Sequence, residues 1–531
     1  MACNFNFQPN TSWIDAVACE ALALSLPGLP WQQPADCIIK WIDDASPKDL
    51  IMPMKKRLKL ILIFLIISFI AYCTHLDFQI IDPTAIGDDA SQNLRTGLNL
   101  LKHGVYSENG VTNDVIAGFR REPIPNFILA LQLKYASLFD ADLLDYSGKG
   151  EFPSELLLVA KQVNVIYALG LMISLWVLTL MLVAPAWMAS IISFPLIALV
   201  NEQFIAGEMN TLDTELPAAF FMVLLALISL VMVKNLSLGW ILISGIAFGL
   251  LVMTKQSGAY VAVICIPIIL ILLPSARTKF FMNLFLFSLG FAVIVSPWVI
   301  RNRIEFGRSV ISRGGGDVLL IRSVFNQMSP LQFRNAFYSF SPKPVRDDLL
   351  GPIMGLESQD HSCGGILDVF NRKLLCDSQA LDEGRYHDVK SFYIRGKRAE
   401  PLSMKLSNSL RKQEALSRIL ANPLQHLIVS FPLAWRGIWA ISPSGWGDVI
   451  LNILSFLALL ASPLFYFLEK RKSWLIVSIV PIGYFLFYAL FSHFIPRYSQ
   501  PLVPLAFICL MMVIVDMAEK MLATSVVRLR D

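Results

Sequence analysis

The sequence has 531 residues, of which 55% are apolar and 16% charged, and its 44 Lys+Arg against 40 Asp+Glu leave a net charge of +4. Soluble domains carry roughly 25% charged residues, so this composition excludes a disordered chain and argues against a soluble enzyme. So small a net charge gives no footing for nucleic-acid binding.

Residues 1–53 hold Trp13, Trp31 and Trp41 and three of the eight cysteines, without a periodic pattern. Met54, followed by Lys-Lys-Arg-Leu-Lys and an apolar run, has the look of an amino terminus. Residues 1–53 are therefore expected to be an extension ahead of a start at Met52 or Met54. A bilayer core of about 30 Å takes roughly 20 mostly apolar residues per helix. Ten such runs follow, near 58–76, 156–183, 187–200, 212–233, 239–254, 257–273, 280–300, 449–468, 474–491 and 501–518. The third is short for a span, and Ala184-Pro185-Ala186 before it reads as a tight hairpin. The expected fold is thus an all-α multispan membrane protein, with a membrane domain over 54–300, an α or mixed α/β soluble portion over 301–448, and closing transmembrane helices over 449–531.

Lys and Arg in short loops set orientation. With the residues before the first span inside, the inner segments carry Lys55, Lys56, Arg57, Lys59, Lys234, Arg277, Lys279, Lys470, Arg471, Lys472, Lys520, Arg528 and Arg530. The short outer loops carry only Lys255 and Arg497. That bias predicts both ends inside. It also assigns the apolar segment 424–441, with Trp435 and Trp439, to the outer interface, because an eleventh span would turn Lys470–Lys472 outward. Two long segments then face away from the cytoplasm. The first, 77–154, has eleven acidic and six basic residues; the second, 301–448, has twenty basic and fourteen acidic. Cys363 and Cys376 share the second, where an oxidising compartment permits a disulfide. Cys73, Cys265 and Cys509 lie in or beside spans and read as core filler.

The stretch 82–130 is the richest in chemistry. Leu94, Leu98, Leu101 and Val105 recur at helical spacing, which predicts an amphipathic helix over 89–103 with Gly104 as its stop. Asp88 and Asp89 stand at its start. Asp88 can serve as a plain N-cap, accepting a backbone N–H. The second carboxylate is then left over, and one at a helix start just outside a membrane can act as a general base.

The order of motifs, from the acidic pair through Gly104-Val105-Tyr106-Ser107 to Arg121-Glu122-Pro123, resembles the C-type integral membrane glycosyltransferases. The branches it resembles contain the protein O-mannosyltransferases and the bacterial aminoarabinose transferase for lipid A. The resemblance runs over roughly 54–531: Thr254-Lys255 closes the fifth run, Pro297-Trp298 and Arg301-Asn302 end the seventh, Phe306-Gly307-Arg308 and Gly314–Gly316 follow, and His493, Arg497-Tyr498 and Pro501 come near the end. Asn93 stands where relatives often carry a tyrosine.

The resemblance implies an extracytoplasmic enzyme of a bacterial inner or plasma membrane. Such an enzyme moves a sugar from a polyprenyl-phosphate or polyprenyl-pyrophosphate carrier to a lipid, glycan or protein acceptor, inverting the anomeric centre. Asp89 is then the expected base, with Asp88 as fallback and Glu122 orienting the acceptor or supporting the base. The plain alternative for Glu122 is a surface carboxylate paired with Arg120 or Arg121. Lys255, Arg497, Arg301 and His493 are the expected contacts to the donor phosphate. Against this stand snorkelling for Lys255, an interface anchor for Arg301 and a locally satisfied ring for His493. Asp213 and Glu215 open the fourth run as a second acidic or acceptor site, although a helix start attracts acids in any case. No cofactor is required by any motif. The acidic residues could hold a divalent ion, but no spacing demands one.

Gly314–Gly316 lacks the Gly-Lys-Ser/Thr ending of a phosphate loop and reads as a flexible turn. An outer-leaflet polysaccharide polymerase shares the carrier lipid and is the nearest alternative. A secondary transporter would need inverted repeats and broken helices around a midplane site, and the ionisable residues gather at the ends of spans instead.

Overall fold

The computed structural model describes residues 54–528 apart from 112–113, 141, 143–145, 147–149, 236, 274–275, 373–375, 400–407 and 442. The expected extension over 1–53 lies outside the described residues. The chain divides into two units, 1–63 and 64–531. Of the first, only the start of one helix is described; the rest of the account concerns the second.

Among the described residues the secondary structure is helical, without strands. The helices that position the site are α1 (Met54–Gln79), α2 (Asp88–His103), α3 (Pro123–Ala136), α4 (Ser154–Lys161), α5 (Val163–Leu182), α6 (Ala186–Val200), α7 (Glu215–Lys234), α8 (Leu238–Thr254), α9 (Gly258–Ile271) and α10 (Ala276–Phe306). After them come α11 (Gly315–Val324), α12 (Pro330–Phe340), α13 (Asn408–Ala421), α14 (Pro423–Gly437), α15 (Trp446–Glu469), α16 (Lys472–Phe491) and α17 (Val503–Arg528).

Among the described residues eight helical stretches are long and apolar enough to cross a membrane, and α8 and α9 are two shorter apolar helices at the fifth and sixth predicted runs. The ten runs are all helical. The third is longer than its sequence suggested: after Val200 the chain continues through a wider π turn, Asn201–Ile205, and the apolar stretch reaches Glu208. The run breaks in the sequence at Asn201 and Glu202, yet the helix does not.

α7 is apolar around its whole circumference and packs on α5, α8, α16 and the 3₁₀ turn Pro496–Leu502. α10 shows the opposite pattern. Phe281, Phe285, Leu289, Val293, Ile300 and Ile304 line one exposed stripe, the face a lipid environment would cover. Its other face crosses α8 at two glycines. A Cβ on Gly245 would stand 2.1 Å from the Phe287 carbonyl oxygen, and one on Gly290 would stand 2.1 Å from that of Leu242. Helices in a bilayer associate mainly by such close packing, so these small residues set the approach.

The 301–448 portion is built from short helices. Ser329 and Gln332 form a capping box at the start of α12, and Asn422 caps α14 through Gln425 N–H at 3.2 Å. Arg322 on α11 is fully buried and donates to the His426 carbonyl and the Ser430 hydroxyl of α14, both at 2.8 Å, and to Asn326 Oδ1 at 2.7 Å. Burial draws its guanidinium down to about 9. Cys363 and Cys376 form the disulfide. α14 carries the apolar segment placed at the interface: Val429 and Leu433 are buried, while Leu424, Leu427 and Phe431 are exposed.

Two readings need correction. Gly314–Gly316 is not a free turn. Gly314 is the N-cap of α11, and Gly315 and Gly316 form its first turn. A Cβ on Gly316 would meet the Asn408 carbonyl oxygen at 2.3 Å, so the run lets α13 approach the start of α11. Asp88 is not an N-cap either. Gly87 holds that position, with Asp88 and Asp89 both inside the first turn and no side chain capping the helix. The stop at Gly104 is as expected: its φ of 65° is left-handed, and its N–H reaches Leu100 O at 3.1 Å.

Candidate active site

Three helix ends and a turn meet at one place. α2 and α7 begin there, α8 ends there, and the Pro496–Leu502 turn passes beside them. Helix starts favour acids and helix ends favour cations, and the residues comply: Asp89 lies in the first turn of α2, Glu215 is the first residue of α7, and Lys255 caps α8.

Arg497 is the hub. Its Nε donates to Glu215 Oε1 at 2.9 Å, and its two terminal nitrogens contact Asp213 Oδ2 and Asp89 Oδ2, both at 3.2 Å. Two of its five N–H groups donate to Glu215 and Asp89, Asp213 pairs with the third nitrogen, and the guanidinium has no further hydrogen-bond partner among the described residues. Lys255 donates to Glu215 at 2.7 Å and to the Thr214 hydroxyl at 3.0 Å. Arg121 pairs with the other oxygen of Asp89 and donates to Gln92 Oε1 at 3.1 Å. Glu215 is fully buried and Lys255 nearly so, whereas the Asp89 side chain is 45% exposed. Asp89 is thus the carboxylate at the open rim of a charged cluster that runs inward.

The charges act on one another in opposite senses. Partial burial works to raise the Asp89 carboxyl, but Arg121 and Arg497 outweigh it and hold the group below the usual carboxylate range. Asp213 goes the other way, because its own burial and the charge of Glu215 exceed the pull of Arg497. Burial also raises Glu122, against the pull of Lys255 and Arg121. One oxygen each of Asp213 and Glu215 is buried without a hydrogen-bond partner.

Other motif residues hold the frame. The Tyr106 hydroxyl lies 3.0 and 3.1 Å from the carbonyls of Arg121 and Glu122 and accepts from Asn126 Nδ2 at 2.8 Å. That fixes the backbone from which Arg121 reaches Asp89. Trp298 donates to Ile311 O at 2.7 Å and Asn302 to Val310 O at 2.8 Å. Arg301 donates to Gly118 O at 2.7 Å, pairs with Glu305 at 2.9 Å, and lies 4.8 Å from the Trp298 ring centre. Arg301 therefore ties α10 to the 104–122 loop and makes no contact with the Arg497 cluster. The Glu122 carboxylate lies 3.5 Å from the Ser312 hydroxyl. Asp88 is exposed and has no side-chain partner among the described residues. His493 sits away from the acids, between the rings of Tyr393 and Tyr498 at 5.3 and 5.5 Å.

The structure brings Asp89, Lys255 with Arg497, and Asp213 with Glu215, to which the sequence assigns three separate roles, into one cluster, and it adds Arg121, which the sequence did not pair with Asp89. The sequence reading also missed Glu208, which is buried beside the cluster and whose second carboxylate oxygen lies 3.2 Å from the Thr211 hydroxyl. Extending the third run past residue 200 would have flagged Glu208 as an acid at a span end. Lys161 was missed too. It is fully buried and donates to Asp82 O at 2.7 Å and Thr84 O at 3.0 Å, which pins the entry of the first loop. Among the described residues no three His, Cys, Asp or Glu side chains gather at metal-holding geometry, and the carboxylates around Arg497 are shared with cations.

No family description matches the sequence, and no curated protein does. Solved structures do. The archaeal oligosaccharyltransferase AglB from Archaeoglobus fulgidus, in complex with an inhibitory peptide and a dolichol-phosphate, is similar at TM-score 0.46 and 12% identity, over 88% of this chain and 52% of that one. ArnT from Cupriavidus metallidurans, bound to undecaprenyl phosphate, is similar at TM-score 0.33 and 12% identity, over 84% of this chain and 77% of that one. Its apo state is similar at TM-score 0.35 and 15% identity, over 83% and 77%. The chain spans about half the length of the oligosaccharyltransferase it matches, 52%.

Proposed function

We propose that the chain is a membrane glycosyltransferase that moves a sugar from a polyprenyl-phosphate-linked donor to a hydroxyl of a lipid, glycan or protein acceptor, with Asp89 as base. The observation that carries this reading is Asp89 itself: a half-exposed carboxylate at a helix start, held ionised by Arg121 and Arg497 at the mouth of a buried charge cluster.

In the proposed reaction Asp89 takes the proton of the acceptor hydroxyl, and that oxygen forms a bond to the anomeric carbon from the face opposite the phosphate. The carbon–oxygen bond to the phosphate breaks, and the carrier phosphate leaves with the electron pair. Arg497 is the cation best placed to receive it, since it has N–H groups left over and a side chain that is 37% exposed. Lys255 stands one layer behind, held by Glu215 and Thr214, and helps fix the Glu215 carboxylate on which Arg497 is oriented. A phosphate that draws Arg497 toward itself weakens its grip on Asp89, so donor arrival makes the base stronger. Glu122, Asp213 and Asp88 are assigned supporting roles: Glu122 and Asp213 shape the field around Asp89, and Asp88 flanks it in solvent. No step is routed through a metal ion.

The test is transfer of label from radiolabelled polyprenyl-phosphate sugars to a membrane extract by wild type and Asp89→Asn. The amide is nearly isosteric, so expression and fold should persist while transfer falls by about 10²–10⁴-fold, the usual worth of a general base. Transfer by the variant at the wild-type rate would remove Asp89 from the role. Label moving in neither would favour the polymerase or transporter reading.

A further inference from the structure

A second group of cations gathers in the 301–448 portion, and among the described residues no carboxylate answers it. The Arg372 guanidinium lies 4.7 Å from the centre of the Tyr393 ring, and the Lys397 ammonium lies 5.5 Å from it. Arg436, on α14, sits over the Phe340 ring at 4.6 Å. His493 packs between Tyr393 and Tyr498 and is 4% exposed, and its Nδ1 is buried with no partner. Among the described residues, none of Arg372, Lys397 and Arg436 pairs with a carboxylate; Arg372 and Lys397 hydrogen-bond to the Tyr393 hydroxyl instead.

The electrostatic consequences agree with that geometry. Burial, reinforced by Arg372, draws the Arg436 guanidinium down to about 9. Burial and then Arg372, Arg436 and Lys397 hold the His493 ring well below its usual range, so it stands neutral among cations. Arg322 is as deeply buried but is answered by three neutral acceptors, whereas Arg436 has none among the described residues. Arg372 and Lys397 are exposed, but Arg436 is withdrawn from water without a counter-charge among the described residues, which is costly in the free protein, and an anion supplied from outside removes that cost.

We propose that Arg372, Lys397 and Arg436, with the Tyr393 hydroxyl and the unpartnered nitrogen of His493, form a binding site for a phosphate group, separate from the cations that hold Asp89. Guanidinium forks suit phosphate oxygens. The neutral His493 ring can donate from Nδ1 in the appropriate tautomer, and Tyr393 can donate its hydroxyl. The site adjoins the Asp89 cluster through aromatic rings: His493 lies against Tyr498, Tyr498 stacks on Tyr488 at 5.1 Å, and the Tyr488 hydroxyl meets Ser257 Oγ at 2.7 Å, two residues beyond Lys255. Arg497 precedes Tyr498 directly. A phosphate held here would therefore sit one layer of tyrosines from the proposed reacting centre. In that respect the site deepens the transferase reading, but its existence does not depend on that reading.

The experiment is equilibrium binding to the purified full chain in detergent, with no acceptor present. The probes are radiolabelled undecaprenyl phosphate, undecaprenol as its neutral counterpart, and inorganic phosphate. Wild type should hold undecaprenyl phosphate at least tenfold more tightly than undecaprenol, and Arg436→Gln and Arg372→Gln should each weaken that binding at least tenfold. Lys134→Gln, which removes an exposed charge elsewhere, should leave it unchanged. Arg436→Lys keeps the charge and should restore part of the loss, which separates a lost contact from a misfolded variant. If inorganic phosphate binds with the same dependence on Arg372 and Arg436 while the lipid shows no preference, the site stands with a soluble phosphate as its ligand. Unchanged binding of both phosphate probes in folded Arg436→Gln and Arg372→Gln overturns the site. Because the readout is binding without transfer, it is independent of whether Asp89 is the base.

Discussion

Two charged regions lie a few residues apart and are built on opposite principles. Around Arg497, every cation has a carboxylate: Asp89, Asp213 and Glu215 share the guanidinium, Lys255 serves Glu215, and Arg121 serves Asp89. Around Tyr393, the cations Arg372, Lys397 and Arg436 have no acid among the described residues. The first region is balanced before any ligand arrives, so its charges fix geometry and tune one carboxylate. The second is unbalanced until a ligand arrives, so its charges constitute an affinity. A balanced cluster suits chemistry because its groups are already oriented, and an unbalanced one suits binding because its strain is relieved by occupancy.

The sharpest way to test the first half of that contrast is Asp89→Asn, whose expected loss of transfer is given above. In the balanced region it should leave folding nearly intact, since the amide still accepts from Arg121 and Arg497. A melting temperature that dropped along with activity would mean that Asp89 is chiefly structural. Lys255→Met makes the reverse argument. Removing one partner of a buried pair leaves the other uncompensated and costs about 3–5 kcal/mol. Arg497 still touches Glu215, so the lower end is expected. Thermal unfolding in detergent checks it, and the double variant Lys255→Met, Glu215→Leu should recover part of the loss, because both charges are then gone.

The third test reads the field at Asp89 directly. Its pKa is depressed in the folded protein, so its carboxylate contribution is present above the ordinary carboxylate value and is lost only as pH falls through the lower folded value. The acid limb of kcat/KM should therefore lie below the usual Asp range. Arg121→Gln leaves partial burial opposed by Arg497 alone, and the limb should move upward. A limb that stays where it was would mean that Arg121 does not set the charge state of the base.

The balanced region was largely legible in the sequence because its members sit at punctuation marks. Asp89 is the second residue after a glycine at a helix start, Glu215 opens an apolar run, and Lys255 closes one against the charge bias of the loops. The ten runs were equally plain, since each buries or exposes apolar surface continuously. Arg121 was visible but not assignable: only the Tyr106 hydroxyl, holding the carbonyls of residues 121 and 122, decides that its side chain turns back toward α2. Glu208 was hidden by Asn201 and Glu202, where a π turn carries the helix through a polar patch. The glycine run at 314–316 was misread because its reason is a contact with Asn408, more than ninety positions away. The unbalanced region was illegible for the same cause. Arg372, Lys397, Arg436 and His493 share no spacing, and the basic excess of 301–448 does not say which charges meet.

The smallest effect is also the one that divides the two regions most cleanly, because it reverses sign between them. Arg436→Gln removes a charge that folding disfavours: the depressed pKa of that guanidinium means that the folded state holds its proton less tightly than the unfolded chain does. In the absence of phosphate the variant should therefore be more stable than wild type, by about 1 kcal/mol, on the scale of other charge-repulsion repairs. Saturating undecaprenyl phosphate should close or invert that gap, because it stabilises only the protein that binds it, by RT ln(1 + [L]/Kd). The matching change in the balanced region, Lys255→Met, destabilises with or without the lipid. If Arg436→Gln instead destabilised the free protein as Lys255→Met does, Arg436 would have a structural partner and the contrast between the two regions would fail. A gain in stability that persisted unchanged with lipid present would separate the strain from the ligand, leaving the cations uncompensated but without a phosphate to explain them.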